Sequence, residues 1–245
     1  MKSSEKIKYI SNWIKQYVDQ MPHKAESLVI GISGGIDSSV SSTLSAMTGI
    51  KTIVLTMPIR QKENQHDLSL KHQEWLLKNF KNVEAHTVNL DKLFETFSST
   101  LNQFKNEHGL ANSRARLRMT TLYQVAAANK GIVVGTGNKV EDFGVGFYTK
   151  YGDGGVDISP IADCNKTEVW ELGKELGILK EIIDAPPTDG LWDDGRTDEG
   201  QLGFKYQDLE DAMKNPNSPH RQEYEKIRKQ NLHKMEPIPV CKIPS

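Results

Sequence analysis

The stretch Gly31-Ile32-Ser33-Gly34-Gly35-Ile36-Asp37-Ser38-Ser39 constrains this chain more than any other. The apolar run Leu28-Val29-Ile30 leads into it and reads as a short buried strand. Val40 to Met47 follows and reads as a helix. The adjacent glycines permit a tight turn whose N–H groups stay open to an anion. Ser33, Ser38 and Ser39 add hydroxyl donors, and the helix N-terminus favours negative charge. Together these residues form a phosphate cradle. It has no Lys after its glycines, so it is not the nucleotide loop that ends in Gly-Lys-Ser/Thr, and it lacks Gly-x-Gly-x-x-Gly spacing. Asp37 is a poor neighbour for bare phosphate and a good one if Mg²⁺ sits between them.

A plain strand-to-helix turn would account for a lone Gly-Gly. Here glycines, serines and Asp37 form one block after a strand, and the block resembles the pyrophosphate loop of the ATP pyrophosphatases that make AMP intermediates. That group includes the synthetases of NAD, GMP, asparagine and argininosuccinate, and the tRNA lysidine-forming enzymes. The loop alone does not choose among them.

With 245 residues the chain is long enough for a substantial core, and one large α/β domain is the favoured organisation. Lys and Arg number 31 against 32 Asp and Glu, a balance that argues against a dedicated nucleic-acid binder. Two cysteines, Cys164 and Cys241, make neither a disulfide framework nor a metal cluster, which fits a reducing cytoplasm. The first residues are polar, and no window approaches the length of a membrane span.

Ile7, Ile10, Ile14 and Val18 recur at helical spacing and predict a first helix over Glu5 to Gln20, with Trp13 and Tyr17 on its flank for packing or a partner subunit. Lys51 to Met57 reads as the second strand, Ile59 to Asp67 as a loop, and Leu68 to Phe80 as part of a helix. Val83 to Val88 reads as the third strand. A helix follows Asn89-Leu90-Asp91, with Leu93, Phe94, Phe97, Leu101 and Phe104 expected inward. Leu110 to Asn129 reads as a long helix in which Arg114 and Arg118 share one side and Arg116 points elsewhere. Ile132-Val133-Val134 is the fourth strand. Such strand–helix repeats predict a mostly parallel open sheet with helices on both faces, and ligands beyond the carboxyl ends of its strands. The glycine loop, the Pro58 loop and the Asn89 region all fall at that edge.

Phe143 to Asp157 holds five glycines among aromatics and charges and reads as an ordered ligand-approaching loop. Asn165-Lys166-Thr167-Glu168 resembles a capping box that starts a helix ended by Gly177. Thr188 to Gly203 is acidic and glycine-rich, consistent with a mobile lid or a solvated loop. Short helices are expected at Leu209 to Met213 and Tyr224 to Leu232, before His233-Lys234 and a proline-rich tail.

Four blocks choose a family. They are Gly135-Thr136-Gly137-Asn138-Lys139-x-Glu141, Phe147-Tyr148-Thr149-Lys150-Tyr151-Gly152-Asp153-Gly154-Gly155-x-Asp157, Lys166-Thr167 and Pro187-Thr188. The chain resembles an ammonia-dependent NAD synthetase over most of Ser27 to Lys234. The resemblance implies an adenine-nucleotide alpha-hydrolase-like, Rossmann-like three-layer sandwich. It implies one domain over residues 1–245, with lids at 59–67 and 191–204. The implied activity converts nicotinic acid adenine dinucleotide (deamido-NAD) to NAD through an adenylated intermediate, with ATP as co-substrate and Mg²⁺ as cofactor. A cytoplasmic homodimer without nucleic-acid or membrane partners is expected.

By the same resemblance, Gly31, Ile32, Ser33, Gly34, Gly35, Ile36, Asp37 and Ser38 hold ATP phosphates, and Thr136, Lys166 and Thr188 contact ATP. Asp37 and Glu141 hold Mg²⁺. Arg116, Lys150, Asp157, His233 and Lys234 contact deamido-NAD. Asp153, Lys150 and Asp37 carry the catalytic roles, Asp153 beside the nicotinate carboxyl and the incoming ammonia. Two departures stand out: the span between Glu141 and Lys150 is one residue longer than in many members, and Ser38-Ser39 replaces the commoner Ser-Thr.

Glutamine-dependent members carry a glutaminase domain in the same chain. The stretch 1–27 is too short for one, and neither cysteine comes with a triad, so free ammonia is the expected nitrogen source. Two alternatives compete: another amidating enzyme of the same loop class, such as a GMP synthetase-type ATPase, and a non-catalytic nucleotide sensor. The Lys and two Asp of Phe147 to Asp157 argue against the first. Joint presence of Asp37, Glu141, Lys150 and Asp153 argues against the second.

Overall fold

A computed structural model describes residues 1–60, 63–188, 191–192 and 197–243. The chain runs α1 (Ser3–Gln20), β1 (Ser27–Gly31), α2 (Ile36–Met47), β2 (Lys51–Thr56), α3 (Glu63–Asn79), β3 (Val83–Thr87), α4 (Asp91–Thr100), α5 (Glu107–Ala128) and β4 (Gly131–Val133). A π-helix (Lys139–Val145) follows, then α6 (Lys166–Glu175), α7 (Lys180–Asp184), α8 (Asp198–Leu202), α9 (Tyr206–Lys214) and α10 (Arg221–Met235).

The four strands are parallel in the order β3-β2-β1-β4. Side chains alternate between the faces of a strand, and both faces of the central β1 and β2 are covered, so these two strands are buried along most of their length, whereas the edge strand β3 is half-buried to exposed. Leu28, Ile30 and Val54 face a core shared with α1, α2 and α6. Val29, Ile53, Leu55 and Val133 face the opposite core, with Phe94 of α4 and Met119 and Leu122 of α5. A third cluster packs Val140 and Val145 of the π-helix against Tyr206, Leu209 and Ala212 of α9 and Tyr224 of α10.

The chain leaves β1 through α2 to β2, and later returns through α5 to β4 on the other side of β1. The order therefore reverses between β1 and β4, which makes a crevice at their carboxyl ends. Both the glycine loop after β1 and the Gly135 segment after β4 open into it.

Three expectations change. The polar stretch after Ile59 is not loop throughout: α3 begins at Glu63, and Gln61 and Lys62 lie outside the described residues. Helix α4 buries Phe94, whereas Leu93 is 49%, Leu101 38% and Phe104 72% exposed. Its apolar residues span more of the helix than the core covers. Phe143 to Asp157 is also not wholly irregular, because the π-helix reaches Val145. A π turn closes i→i+5, one residue more than an α turn. Among the described residues, no helix is long and apolar enough to cross a membrane.

Candidate active site

The loop after β1 is knitted by its own serines. The Ser33 N–H donates to Ser38 Oγ at 3.2 Å, and the Gly35 N–H donates to Ser33 Oγ at 3.2 Å. The Ser38 and Ser39 hydroxyls donate to the Gly35 carbonyl at 3.1 and 2.9 Å. Gly34 sits at φ 89°, a left-handed conformation that favours glycine. Gly35 caps α2 without a side-chain acceptor, so the first-turn N–H groups remain available to an anion.

Opposite the loop, α6 presents its first residue, Lys166, which is 1% exposed. Its Nζ lies 2.5 Å from Asp37 Oδ2 and 2.9 Å from Glu141 Oε1. A cation at a helix N-terminus is disfavoured by the dipole, and burial adds a desolvation cost. Two carboxylates offset both terms. Asn138 organises the pair: its Nδ2 donates to Asp37 Oδ1 at 3.1 Å, while its Oδ1 accepts from the Val140 and Glu141 N–H groups and caps the π-helix. The Tyr206 hydroxyl donates to Glu141 Oε1 at 2.5 Å.

Electrostatics follow from this packing. Burial alone raises both carboxyls. For Glu141 the Lys166 charge and the Tyr206, Lys166 and Asn138 hydrogen bonds outweigh burial and hold it below the usual range. Asp37 stays above its usual range because burial, supplemented by the Glu141 charge, exceeds the opposing pull of Lys166. Burial also lifts Asp142 well above the ordinary carboxylate value, with the charges of Asp153, Glu141 and Asp37 adding to it.

A pocket of about 210 Å³ opens over this cluster. Gly31, Ile32, Ser33, Asp37 and Ser38 from the loop line it, as do Thr136, Glu141, Asp153 and Thr188. The structure thus brings together residues far apart in the chain. Gly34, Gly35 and Ile36 shape the turn without lining the pocket, and Lys166 lies behind the carboxylates. Asp153 Oδ1 accepts from the Thr149 N–H at 3.0 Å, which folds the glycine-rich loop back on itself.

The five residues expected at the dinucleotide do not line this pocket. Arg116 Nε donates to the Lys150 carbonyl at 3.2 Å, and Lys150 Nζ donates to the His233 carbonyl at 3.1 Å. Lys234 Nζ donates to the Gly146 and Tyr148 carbonyls, tying α10 to the loop. Asp157 accepts from the Tyr123 hydroxyl at 2.9 Å and from the Val133 N–H at 2.7 Å, so it braces β4 against α5.

Four pocket or network residues went unassigned in the sequence. Asp142 and Asp198 line the pocket, and Arg118 lines it while its Nε donates to the Met57 carbonyl at 3.0 Å. Tyr206 reaches Glu141 from behind. Asp142 packs so closely on Gly137 that a Cβ there would lie 1.9 Å from Asp142 Oδ2, a closeness seen only in the structure. A second, larger cavity of about 630 Å³ lies between α4 and α5, where Arg114 packs 4.8 Å from the Phe94 ring centre.

The donor set fits a hard divalent cation. Asp37 and Glu141 already converge on one positive charge, and both offer oxygen. No group of three or more His, Cys, Asp or Glu poised for a metal occurs among the described residues. Remaining ligands would therefore be phosphate oxygens and water, the usual habit of Mg²⁺.

A parallel α/β sheet with a pyrophosphate loop at its switch point defines an ATP pyrophosphatase of the adenylate-forming class. The sequence profile of the NAD synthase family matches residues 6–243, and the chain belongs to that family. It is 39% identical over 212 residues to the NH3-dependent NAD synthetase of Carboxydothermus hydrogenoformans, covering 84% of this chain and 83% of that one. It is 33% identical to that of Alkaliphilus metalliredigens, covering 98% and 99%. Among solved structures, the NMN synthetase of Francisella tularensis superposes with a TM-score of 0.91 at 32% identity, covering 99% of this chain and all of that one. The Campylobacter jejuni NH3-dependent NAD synthetase shares the fold with a TM-score of 0.79 at 22% identity, covering 99% and 100%.

Proposed function

We propose that this chain amidates nicotinic acid adenine dinucleotide to NAD with ammonia and ATP. The nicotinate carboxylate attacks the α-phosphorus of ATP, forming the acyl-adenylate and releasing pyrophosphate. Ammonia then attacks the acyl carbon, AMP departs with the electrons of the broken C–O bond, and a proton is lost. Adenylation is needed because oxide is too poor a leaving group for direct amidation.

The observation that carries this reading is the buried carboxylate pair beside the phosphate cradle, where Asp37 and Glu141 share the Lys166 ammonium at 2.5 and 2.9 Å. Asp37 and Glu141 would hold Mg²⁺ through oxygens on their pocket side, where it would supply charge neutralisation for the pyrophosphate leaving group. The loop N–H groups and hydroxyls bind and orient the phosphates. Thr136 and Thr188 contact the remainder of ATP. Lys166, which does not line the pocket, holds the two carboxylates together against their repulsion. Asp153 receives ammonium. Arg116, Lys150, Asp157, His233 and Lys234 meet the dinucleotide at the rim, in a cytoplasmic homodimer. The lids expected at 59–67 and 191–204 include residues 61–62 and 193–196, which lie outside the described residues; α3 begins within the first and α8 lies within the second. Incubation with ATP, Mg²⁺, deamido-NAD and ammonium, followed by product mass, tests the whole reading. Absence of NAD and AMP would overturn it.

A second reading takes nicotinic acid mononucleotide as the acceptor and yields the amide mononucleotide. Its support is the TM-score of 0.91 with an NMN synthetase, against 0.79 and 0.76 with two NAD synthetases. The separation of the dinucleotide residues from the pocket adds to it. Measuring kcat/KM for the two acceptors side by side decides between them.

A further inference from the structure

Tyr206 joins the carboxylate of Glu141 to the short helix α8. Its side chain is fully buried, with the ring edge-on to Trp170 at 5.7 Å. Its hydroxyl donates to Glu141 Oε1 at 2.5 Å, the same oxygen that accepts from Lys166 Nζ. A hydroxyl has one hydrogen, and this short bond uses it. Asp198 Oδ2, from the first residue of α8, lies 3.4 Å from the same hydroxyl, and Asp198 lines the pocket. On the backbone side, the Tyr206 N–H donates to Glu199 Oε1 at 3.1 Å. Tyr206 is therefore tied to α8 through its main chain while its hydroxyl grips Glu141.

We propose that Tyr206 is a positioning residue for the reaction, which fixes the rotation of the Glu141 carboxylate for a divalent cation and links that carboxylate to the packing of α8. The proposal rests on the reading of Asp37 and Glu141 as the cation-holding pair. The terminal torsion of a Glu is soft, so an unheld carboxylate samples many orientations. Two donors on one oxygen remove that freedom. A phenol is protonated at neutral pH at its reference value, so the hydroxyl serves as a donor. Groups that orient metal ligands from behind typically change metal affinity or activity by about 10–100-fold when lost.

Tyr206→Phe keeps the ring in its core and removes only the hydroxyl. Mn²⁺ binding, followed by electron paramagnetic resonance in the presence of α,β-methylene-ATP, should weaken about tenfold or more. The Mg²⁺ concentration for half-maximal pyrophosphate release should rise in step, while the acceptor KM stays near wild type. Saturating Mg²⁺ should recover most of the rate, which it would not do for a misfolded variant. Wild-type Mn²⁺ affinity in Tyr206→Phe would overturn the role of Tyr206 alone. Failure of the wild-type chain to bind Mn²⁺ with the analogue would instead remove the cation-pair reading beneath it.

Discussion

Lys166 Nζ and Asp37 Oδ2 meet at 2.5 Å across 129 residues of sequence, with the Lys side chain 1% exposed. The contact pins the start of α6 to the first turn of α2, the helix that carries the phosphate loop. Breaking a buried ion pair from one side leaves charge without compensation, at a cost of about 3–5 kcal/mol. Lys166→Met should therefore destabilise the fold by about that amount in urea denaturation, and it should abolish turnover. Stability within about 1 kcal/mol of wild type would contradict the structural role, since surface changes fall in that range.

Asp37→Asn and Glu141→Gln each remove a carboxylate charge from the proposed cation site while keeping side-chain size. Adenylation should fall by ~10²-fold or more in each, the scale of losing a transition-state electrostatic contact. Pyrophosphate release close to the wild-type rate in either variant would end the assignment. Either substitution still leaves Lys166 one carboxylate and relieves the repulsion between the pair, whereas both together leave a buried ammonium with neither, so their combined effect on stability should be more than additive.

His72 gives the fold a dependence on acid. It is buried against Trp75, and its Nε2 lies 3.0 Å from Ser42 Oγ. Ser42 gives its own hydrogen to the Ser39 carbonyl at 3.1 Å, so the ring is a neutral imidazole donating from Nε2. Burial lowers its pKa from 6.5 to about 4. Between those values the unfolded chain binds a proton that the folded chain refuses, so stability falls as pH drops from about 6.5 towards 4 and the loss levels off below that. The total is on the order of 3 kcal/mol from this group. Denaturation at pH 7 and pH 5 should display the loss, and His72→Gln should flatten the slope over that window. An unchanged slope would assign the dependence to other groups.

Cysteine chemistry separates the nitrogen sources. Burial lifts the Cys164 thiol to about 11, so little thiolate exists at neutral pH, and Cys241 is exposed in the tail. Ammonium should support turnover and glutamine alone should not. Iodoacetamide should label Cys241 without lowering ammonium-driven activity. NAD formation from ammonia-free glutamine by the purified chain would reverse this.

The sheet was legible because its strands are bounded apolar runs: Leu28-Val29-Ile30 and Lys51 to Met57 fall within a residue of β1 and β2. The capping box at Asn165 was equally plain, with the Asn165 N–H donating to Glu168 Oε2 at 2.8 Å. Helix α4 was misread because a broad apolar pattern does not say how much of it the core covers. The π-helix could not be read from periodicity, since a single widened turn leaves no repeat. Lys166 looked like an ordinary ATP contact. Its burial between Asp37 and Glu141 depends on how α6 meets α2, and local spacing does not encode that. Tyr206 escaped for a similar reason: its partner lies 65 residues away. The family match removes the GMP synthetase alternative that the loop alone left open.

The last prediction separates the two chemical steps through Asp153. Its Oδ1 accepts from the Thr149 N–H at 3.0 Å, and its carboxylate lines the pocket with Asp37, Glu141 and Asp142. Another anion gives no help when a nicotinate carboxylate attacks phosphate. Its useful partner is ammonium, which carries the opposite charge and must lose a proton before attacking the acyl carbon. An Asp is a weak base at its reference pKa, so capture and orientation are the larger part of its work. Asp153→Asn retains an oxygen to accept from Thr149, so the loop keeps its turn while the charge is lost. The variant should release pyrophosphate in the first turnover at close to the wild-type rate. It should then form the amide at least about tenfold more slowly and require more ammonium, a loss within the range of a misoriented nucleophile. Rapid-quench measurement of acyl-adenylate and amide within one turnover reads both steps. If Asp153→Asn instead blocked adenylate formation and left ammonia attack on supplied adenylate intact, Asp153 would belong to the first step and the ammonium role would fall.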